Sequence, residues 1–375
     1  MSDSTTEASS VAKESAKDRK FPCKSCGADL VFVPGLSELK CPFCGHAEKI
    51  PQTAQEIQEY SFNDYLAKPR GRGYGQTAGR DVRCGGCSAL THLDSSVRAT
   101  TCAFCGAPLL TDDQAGGAAS EEVIAPEALV PFHITAAQAQ EAFRKWIRSL
   151  WFAPNTLKQE NHLKQLQGVY RPYWTYDAHT VSHWTGERGD YYYVTETYTV
   201  YENGKPVTKT RQVRHTRWTF VSGVHAEFFD DVLIPAGKTM DFATTYQLSA
   251  LKPYSPEYLS GLGAERYVVS CEEGWGKAKE VIADAIYSAV QNEIGGDEQR
   301  VHSVNTAYNG ITYKHILLPL WLSGYRYGNK TYSFQVNGQT GEVAGARPYS
   351  FWKIFFLALA VAAAITAIVI LAHAR

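Results

Sequence analysis

The sequence predicts an α+β protein with two small four-cysteine zinc ribbons, a larger domain of mixed helices and strands, and one C-terminal transmembrane helix. Three observations carry this. Eight of the nine cysteines fall into two blocks of identical spacing, helical and strand-like apolar periods alternate through residues 126–348, and an uncharged apolar run follows them.

Residues 1–20 are rich in Ser, Thr, Lys and Glu without apolar periodicity, which reads as a disordered lead. They contain no apolar signal segment, so a reducing compartment is expected and disulfides are not. Across all 375 residues, 37 Lys+Arg meet 38 Asp+Glu, which excludes a globally basic nucleic-acid coat.

The first cysteine block, residues 21–50, holds Cys23, Cys26, Cys41 and Cys44; the second, residues 81–112, repeats the spacing with Cys84, Cys87, Cys102 and Cys105. A C-x2-C pair presents two thiolates from one tight turn, and the glycines after Cys26, Cys44 and Cys105 suit such knuckles. Four sulfurs close a tetrahedral site, which stabilises a fold too small for its own core and leaves no position for an activated water. The Cys-Pro-Phe-Cys-Gly knuckle is also rubredoxin-like, but thiolate ligands in this arrangement point to zinc, two ions per chain. The ninth cysteine, Cys271, reads as a small core residue.

Residues 51–80, between the blocks, read as a short helix over Ala54–Lys68 followed by the glycine-rich linker RGRGYGQTAGR. A second linker covers 113–125. In the large domain, Thr135 and Gln138 form a capping-box pattern before a helix with Phe143, Trp146, Ile147 and Leu150 on one stripe. A second helix is expected over Trp275–Glu293, stopping at Gly295-Gly296. Strands are expected over Tyr191–Val200, Gln212–Val221, Ile311–Leu322 and Thr331–Val336.

Asn203-Gly204 signals a two-residue hairpin turn. Counting outward pairs Glu202 with Lys205, Val200 with Val207, Thr199 with Thr208, Thr197 with Thr210, Glu196 with Arg211 and Val194 with Val213. Lys205, Lys209, Arg211, Arg214 and Arg217 then gain partners across the hairpin, with the Tyr198 and Tyr193 rings expected to meet Lys209 and Arg214, and they cease to read as a nucleic-acid groove. The segments 169–174 and 316–321 share P-x-W three residues after an apolar residue, which suggests two related halves with a proline ending or bending each strand; chance similarity is the competing reading.

Catalytic signals are sparse. No P-loop, HExxH or GxSxG motif is present, so an ATPase or helicase engine is unsupported. His179 and His183 share a strand face that His215 and His225 can join, although surface histidines are the simpler reading. Asp230-Asp231 reads as a turn and Glu272-Glu273 as the first turn of a helix.

Ile354–Ala372 carries no charge or proline over 19 residues, roughly 28 Å as a helix, which matches a bilayer's hydrocarbon core. Arg347, Tyr349, Trp352 and Lys353 precede it as interfacial anchors. Residues 349–375 therefore read as a tail anchor, with the bulk of the chain facing the cytoplasm.

The paired ribbons, the segment LVPFHIT at 129–135, GVYRPYW at 168–174 and the C-terminal anchor together resemble bacterial tail-anchored membrane proteins with TFIIB-type zinc ribbons, which often carry the label primosomal protein N-prime-like helicase. The resemblance covers most of the chain from Phe21 onward. It implies the bacterial inner membrane and, through members associated with phage-shock protein A relatives and flotillin-like (SPFH) proteins, a membrane-stress or remodelling assembly. The helicase label conflicts with the missing ATP-binding motif. The expectation is a non-enzymatic adaptor docking cytoplasmic proteins at the membrane, with no catalytic residues. The competing reading is a membrane-tethered nucleic-acid binder, supported by Lys68, Arg70, Arg72, Arg80 and Arg83 less Asp81, a local +4 that anionic lipid would suit equally.

Overall fold

A computed structural model describes residues 21–51, 56–67, 79–83, 90–94, 99–101, 108–110, 124–159, 166–202, 204–237, 244–327 and 330–373. The first cysteine block forms a three-stranded antiparallel sheet of β1 (Val31–Phe32), β2 (Glu38–Lys40) and β3 (Ala47–Lys49). After β4 (Tyr60–Ser61) and α1 (Phe62–Ala67) come two antiparallel pairs, β5 (Gly79–Arg83) with β6 (Leu90–Asp94) and β7 (Ala99–Thr101) with β8 (Pro108–Leu110). The large domain opens with β9 (Ala128–Leu129), α2 (Ala136–Ser149), α3 (Asn155–Gln159) and two long strands, β10 (Gln167–Glu202) and β11 (Lys205–Pro235). It continues with β12 (Lys252–Pro253), β13 (Gly263–Ala264), α4 (Cys271–Ile294), β14 (Glu298–Tyr327), β15 (Lys330–Asn337) and β16 (Val343–Gly345), and α5 (Phe351–His373) follows. The protein is thus mixed α+β with one apolar C-terminal helix.

A central antiparallel sheet runs β11-β10-β14-β15-β16. The hairpin register is the one counted from the turn, from Glu202↔Lys205 through Val194↔Val213, with Gly204 at φ 76° supplying the left-handed turn position. Both long helices of the large domain, α2 and α4, start with capping boxes, Thr135 with Gln138 and Ser270 with Glu273, each satisfying two otherwise orphaned N–H groups. Because side chains alternate across a strand, Tyr170, Trp174 and Tyr176 share one sheet face. α2 buries Ala139, Phe143 and Ile147 in the cluster around Tyr170, while α4 buries Ile282, Ile286 and Val290 in the cluster around Trp174 and Tyr176.

The two P-x-W segments lie side by side at the centre of the sheet, Tyr170 opposite Pro319 and Pro172 opposite Leu317. Their surroundings repeat about a local two-fold axis. β9 runs parallel to β14 at Ile316 and Leu317, and β13 runs parallel to β10 at Val169 and Tyr170, so each half lends its short strand to the other. The Trp321 indole donates to Ile134 O at 2.8 Å and the Trp174 indole to Val269 O at 2.9 Å. The Gly338 carbonyl accepts from His133 and Ile134, as the Ala236 carbonyl does from Val268 and Val269. These matched bonds favour related halves over chance similarity. Contrary to expectation, neither proline ends its strand. Each lies just past the end of a neighbouring strand, where Ala236 N–H donates to Pro172 O and Gly338 N–H to Pro319 O, so no ladder donor is missed.

Three further expectations need correction. Among the described residues the helix expected at Ala54–Lys68 covers Phe62–Ala67, because Tyr60 and Ser61 pair with β14 as an edge strand. β10, β11 and β14 extend well beyond their predicted cores, in part because α4 covers polar stretches such as Thr180 and Ser182. Asp230-Asp231 is no turn: the register shifts between Tyr176 and Ala178, Asp231 has φ 53°, and a second shift lies between Asp177 and His179. These aligned bulges bend the sheet at one level.

Beyond Gly189, opposite Glu298 at the start of β14, β10 and β11 continue without a third strand among the described residues, as a two-stranded arm of roughly 40 Å. At the other end of the domain the apolar helix is pinned to it. Lys353 Nζ donates to Trp151 O (3.1 Å), Ala153 O (2.9 Å) and Asn155 Oδ1 (2.7 Å), and Ser350 N–H donates to Phe152 O (2.7 Å).

Candidate metal centre

Cys23, Cys26, Cys41 and Cys44 come from two knuckles built alike. Cys23 N–H donates to Ala28 O and Gly27 N–H to Cys23 O; Cys41 N–H donates to His46 O and Gly45 N–H to Cys41 O. Gly27 and Gly45 have φ of 73° and 76°, which glycine adopts without strain. The four sulfurs lie within 4.8 Å of one another, with Cys23–Cys44 and Cys26–Cys41 at 3.5 Å. These separations are far beyond a disulfide's ~2.05 Å. They approach the ~3.8 Å edge of a tetrahedron with ~2.3 Å metal–sulfur bonds.

The thiols compete for charge. Backbone N–H groups of Cys44 and Phe43 pull Cys41 down to about 6. Cys26, despite the N–H of Ala28, is pushed up to about 12 by Cys44 and Cys41. Four thiolates so close together need a cation to share, and a divalent metal held by Cys23, Cys26, Cys41 and Cys44 would supply it.

The ribbon also packs against the large domain. Cys23, Leu30, Phe32, Leu39 and Cys41 belong to the same core as Phe132, Phe143 and Tyr258. Phe32 meets Tyr258 edge-on at 5.3 Å, Phe32 N–H donates to Ser260 O, and Gly35 N–H donates to Phe132 O.

Cys84, Cys87, Cys102 and Cys105 lie outside the described residues, as do Lys68, Arg70 and Arg72 of the linker. The pairings around those cysteines repeat the first ribbon. Arg83↔Leu90 and Thr101↔Pro108 bracket the second pair of knuckles as Pro22↔Asp29 and Lys40↔Ala47 bracket the first.

The other candidates do not assemble into sites. His179 packs at a tilt against Phe228, His215 stacks on Tyr192, and His225 lies between Glu293 (2.7 Å) and Glu227 (3.1 Å), whose carboxylates raise its pKa against the opposing effect of burial. No histidine joins a metal-competent group among the described residues. Asp177, Asp230 and Asp231 do converge at the bulge, where burial raises Asp177 and Asp230. Sequence reasoning missed Asp177, because nothing local marks the bulge. Lys314 already supplies the cation there, 2.8 Å from Asp231 and 2.7 Å from Glu59. Cys271 is buried beside the Tyr176 hydroxyl, which raises no catalytic prospect, since burial pushes the thiol up to about 12.

On the arm, Glu196 receives Arg211 at 3.0 Å as expected. The ring partner of Arg214 differs from expectation: Arg214 lies over Tyr191 at 4.1 Å, and Arg211 lies over Tyr198, each diagonal to its directly opposite residue. Strand twist brings the diagonal neighbour under a long side chain. Glu272 and Glu273 occupy the first turn of α4, and Glu273 closes its capping box.

No family model and no solved structure matches the chain. Among curated proteins it is similar to an uncharacterised protein of Bacillus subtilis (strain 168), YdjG, with 27% identity over 352 residues, spanning 89% of this chain and 91% of that protein.

Proposed function

We propose that this chain is a non-enzymatic adaptor, anchored by α5 in the bacterial inner membrane, that docks cytoplasmic proteins through its ribbons and arm. The observation that carries the reading is the arm together with the sheet face at its base. A two-stranded ribbon is marginal by itself in water, and below it, where β14 still pairs with β10, the β11 face turned away from α4 leaves Phe220, Val224 and Phe228 at least half exposed. Such a surface suits a protein partner. Zinc is the metal of the proposal, one ion on Cys23, Cys26, Cys41 and Cys44 and a second on Cys84, Cys87, Cys102 and Cys105, both as rigid supports and neither as a catalyst. Phage-shock protein A-like and flotillin-like proteins are the partner classes that the family resemblance implies.

α5 supports the anchor: within Phe351–Ala372 the most apolar 18-residue stretch has a mean hydropathy of 3.0, and none of it is buried among the described residues. Deleting residues 350–375 is expected to move the protein from carbonate-washed membranes to the soluble fraction, because the other apolar runs form strands and core helices. A truncated chain that stays with washed membranes overturns the anchor.

Nucleic-acid binding is the reading to be separated. If phosphate contacts held the partner, affinity would fall steeply with salt, and Arg70→Ala, Arg72→Ala and Arg80→Ala together would flatten the slope. The expected result is weak, sequence-blind binding to DNA or RNA at physiological salt, unchanged by these substitutions. Tight binding to a defined sequence that the substitutions abolish would replace the adaptor with a nucleic-acid binder.

A further inference from the structure

Where α5 meets the large domain, a cavity of about 240 Å³ is lined by Trp146, Ser149, Leu150, Trp151, Phe152, Ala153 and Arg347. Its floor is the loop that Lys353 and Ser350 tie to the first turn of α5. The cavity therefore stands level with the start of the apolar helix. On the anchor reading proposed above, on which this inference rests, that level is the lipid headgroup layer.

The surroundings suit that layer. Trp151 is 75% exposed, and Tyr349, Phe351 and Trp352 are exposed around the helix entry. Amphipathic aromatic rings favour the membrane interface. Arg347 reaches the cavity from the segment before α5, its guanidinium 5.5 Å from the Tyr349 ring. The adjacent end of α2 is not a bare row of carbonyls, since Ser149 Oγ donates to Trp146 O and Leu150 N–H to Ile147 O. The volume is below the ~300–1,000 Å³ of pockets that enclose whole small molecules. It fits a headgroup whose acyl chains remain outside.

We infer that this cavity binds the phosphate-bearing headgroup of a phospholipid, with Arg347 holding the phosphate and Trp146 and Trp151 enclosing the glycerol end. A planar guanidinium is suited to phosphate oxygens, and the aromatic walls exclude water around the contact.

The test uses the full chain in mild detergent, delipidated and then supplied with dioleoylphosphatidylglycerol, with bound lipid counted by native mass spectrometry. One retained phospholipid per chain is expected. Arg347→Gln should lower its occupancy about tenfold or more, the effect of losing one charge-assisted contact. Ser149→Trp, which fills the cavity from an exposed position, should do the same. Inorganic phosphate at millimolar concentration should not displace the lipid. Displacement by free phosphate overturns the lipid assignment, and equal adducts on the parent and both variants overturn the pocket. Carbonate extraction of the same proteins tests the anchor separately: Arg347→Gln that stays in washed membranes yet loses its lipid supports the inference, whereas a parent protein that carbonate extracts refutes the anchor reading.

Discussion

Arg171→Leu is expected to lower the stability of this fold by about 3–5 kcal/mol, whereas Arg171→Leu combined with Glu265→Val should return it to within about 1 kcal/mol of the parent or above it. Arg171 Nε lies 3.3 Å from Glu265 Oε2, with only 2% and 0% of the two side chains exposed. Removing one partner leaves the other a buried charge without this contact. Removing both leaves an apolar contact that this protein already builds elsewhere, because the local two-fold places Leu318 and Val130 at the equivalent positions of the other half. The ion pair is therefore dispensable for packing but informative for pairing. It marks β13 as the partner of β10; the wrong exchange of short strands would bury Glu265 against Leu318 and Arg171 against Val130. With typical stabilities of about 5–15 kcal/mol, the single change removes a large fraction. Chemical denaturation of the full chain in mild detergent measures both variants. A single change no more harmful than the double would mean that the pair does not act as a unit.

Cys41→Ser carries the second large effect. Structural zinc in isolated zinc fingers contributes about 10–16 kcal/mol to folding at neutral pH, so one lost ligand should release the first ion and unfold residues 21–50. Elemental analysis should fall from two zinc ions per chain to one, since each proposed site has its own ligands. The damage should spread, because Phe32 and Leu39 share a core with Phe132 and Tyr258. Limited proteolysis should therefore cut within 21–50 first and expose the segment around Tyr258 next. A variant that still holds two ions, or a parent that never held more than one, contradicts the two-site assignment.

Local signals were readable where one short stretch decides the outcome. Asn203-Gly204 set the register of the whole arm, Thr135 with Gln138 placed the start of α2, and the cysteine spacing identified the first four-sulfur cluster. Ser270-Cys271-Glu272-Glu273 carried a second capping box that would have extended the predicted helix back from Trp275 to Cys271. Strand length was not readable, since Thr180, Ser182 and Thr185 have no apolar alternation; their hydroxyls are satisfied by Glu227 O, Thr306 and Ser303 on neighbouring strands. The bulge that gathers Asp177 with Asp230 and Asp231 depends on three strands meeting at one level, and no single segment encodes it. The exchange of β9 and β13 between halves is likewise a property of the assembled sheet. Only the P-x-W echo hinted at it.

The adaptor reading is tested most directly by affinity purification of the full chain from detergent-solubilised membranes, with nuclease added and bound proteins identified. The parent should retain a defined set of cytoplasmic proteins despite nuclease. A chain carrying Phe220→Ser, Val224→Ser and Phe228→Ser, exposed on β11 at the base of the arm and outside both ribbons, should keep its zinc and its membrane fractionation while losing those proteins. Retention of the same set by this variant, or loss of the set from the parent on nuclease treatment, would contradict docking through this β11 face.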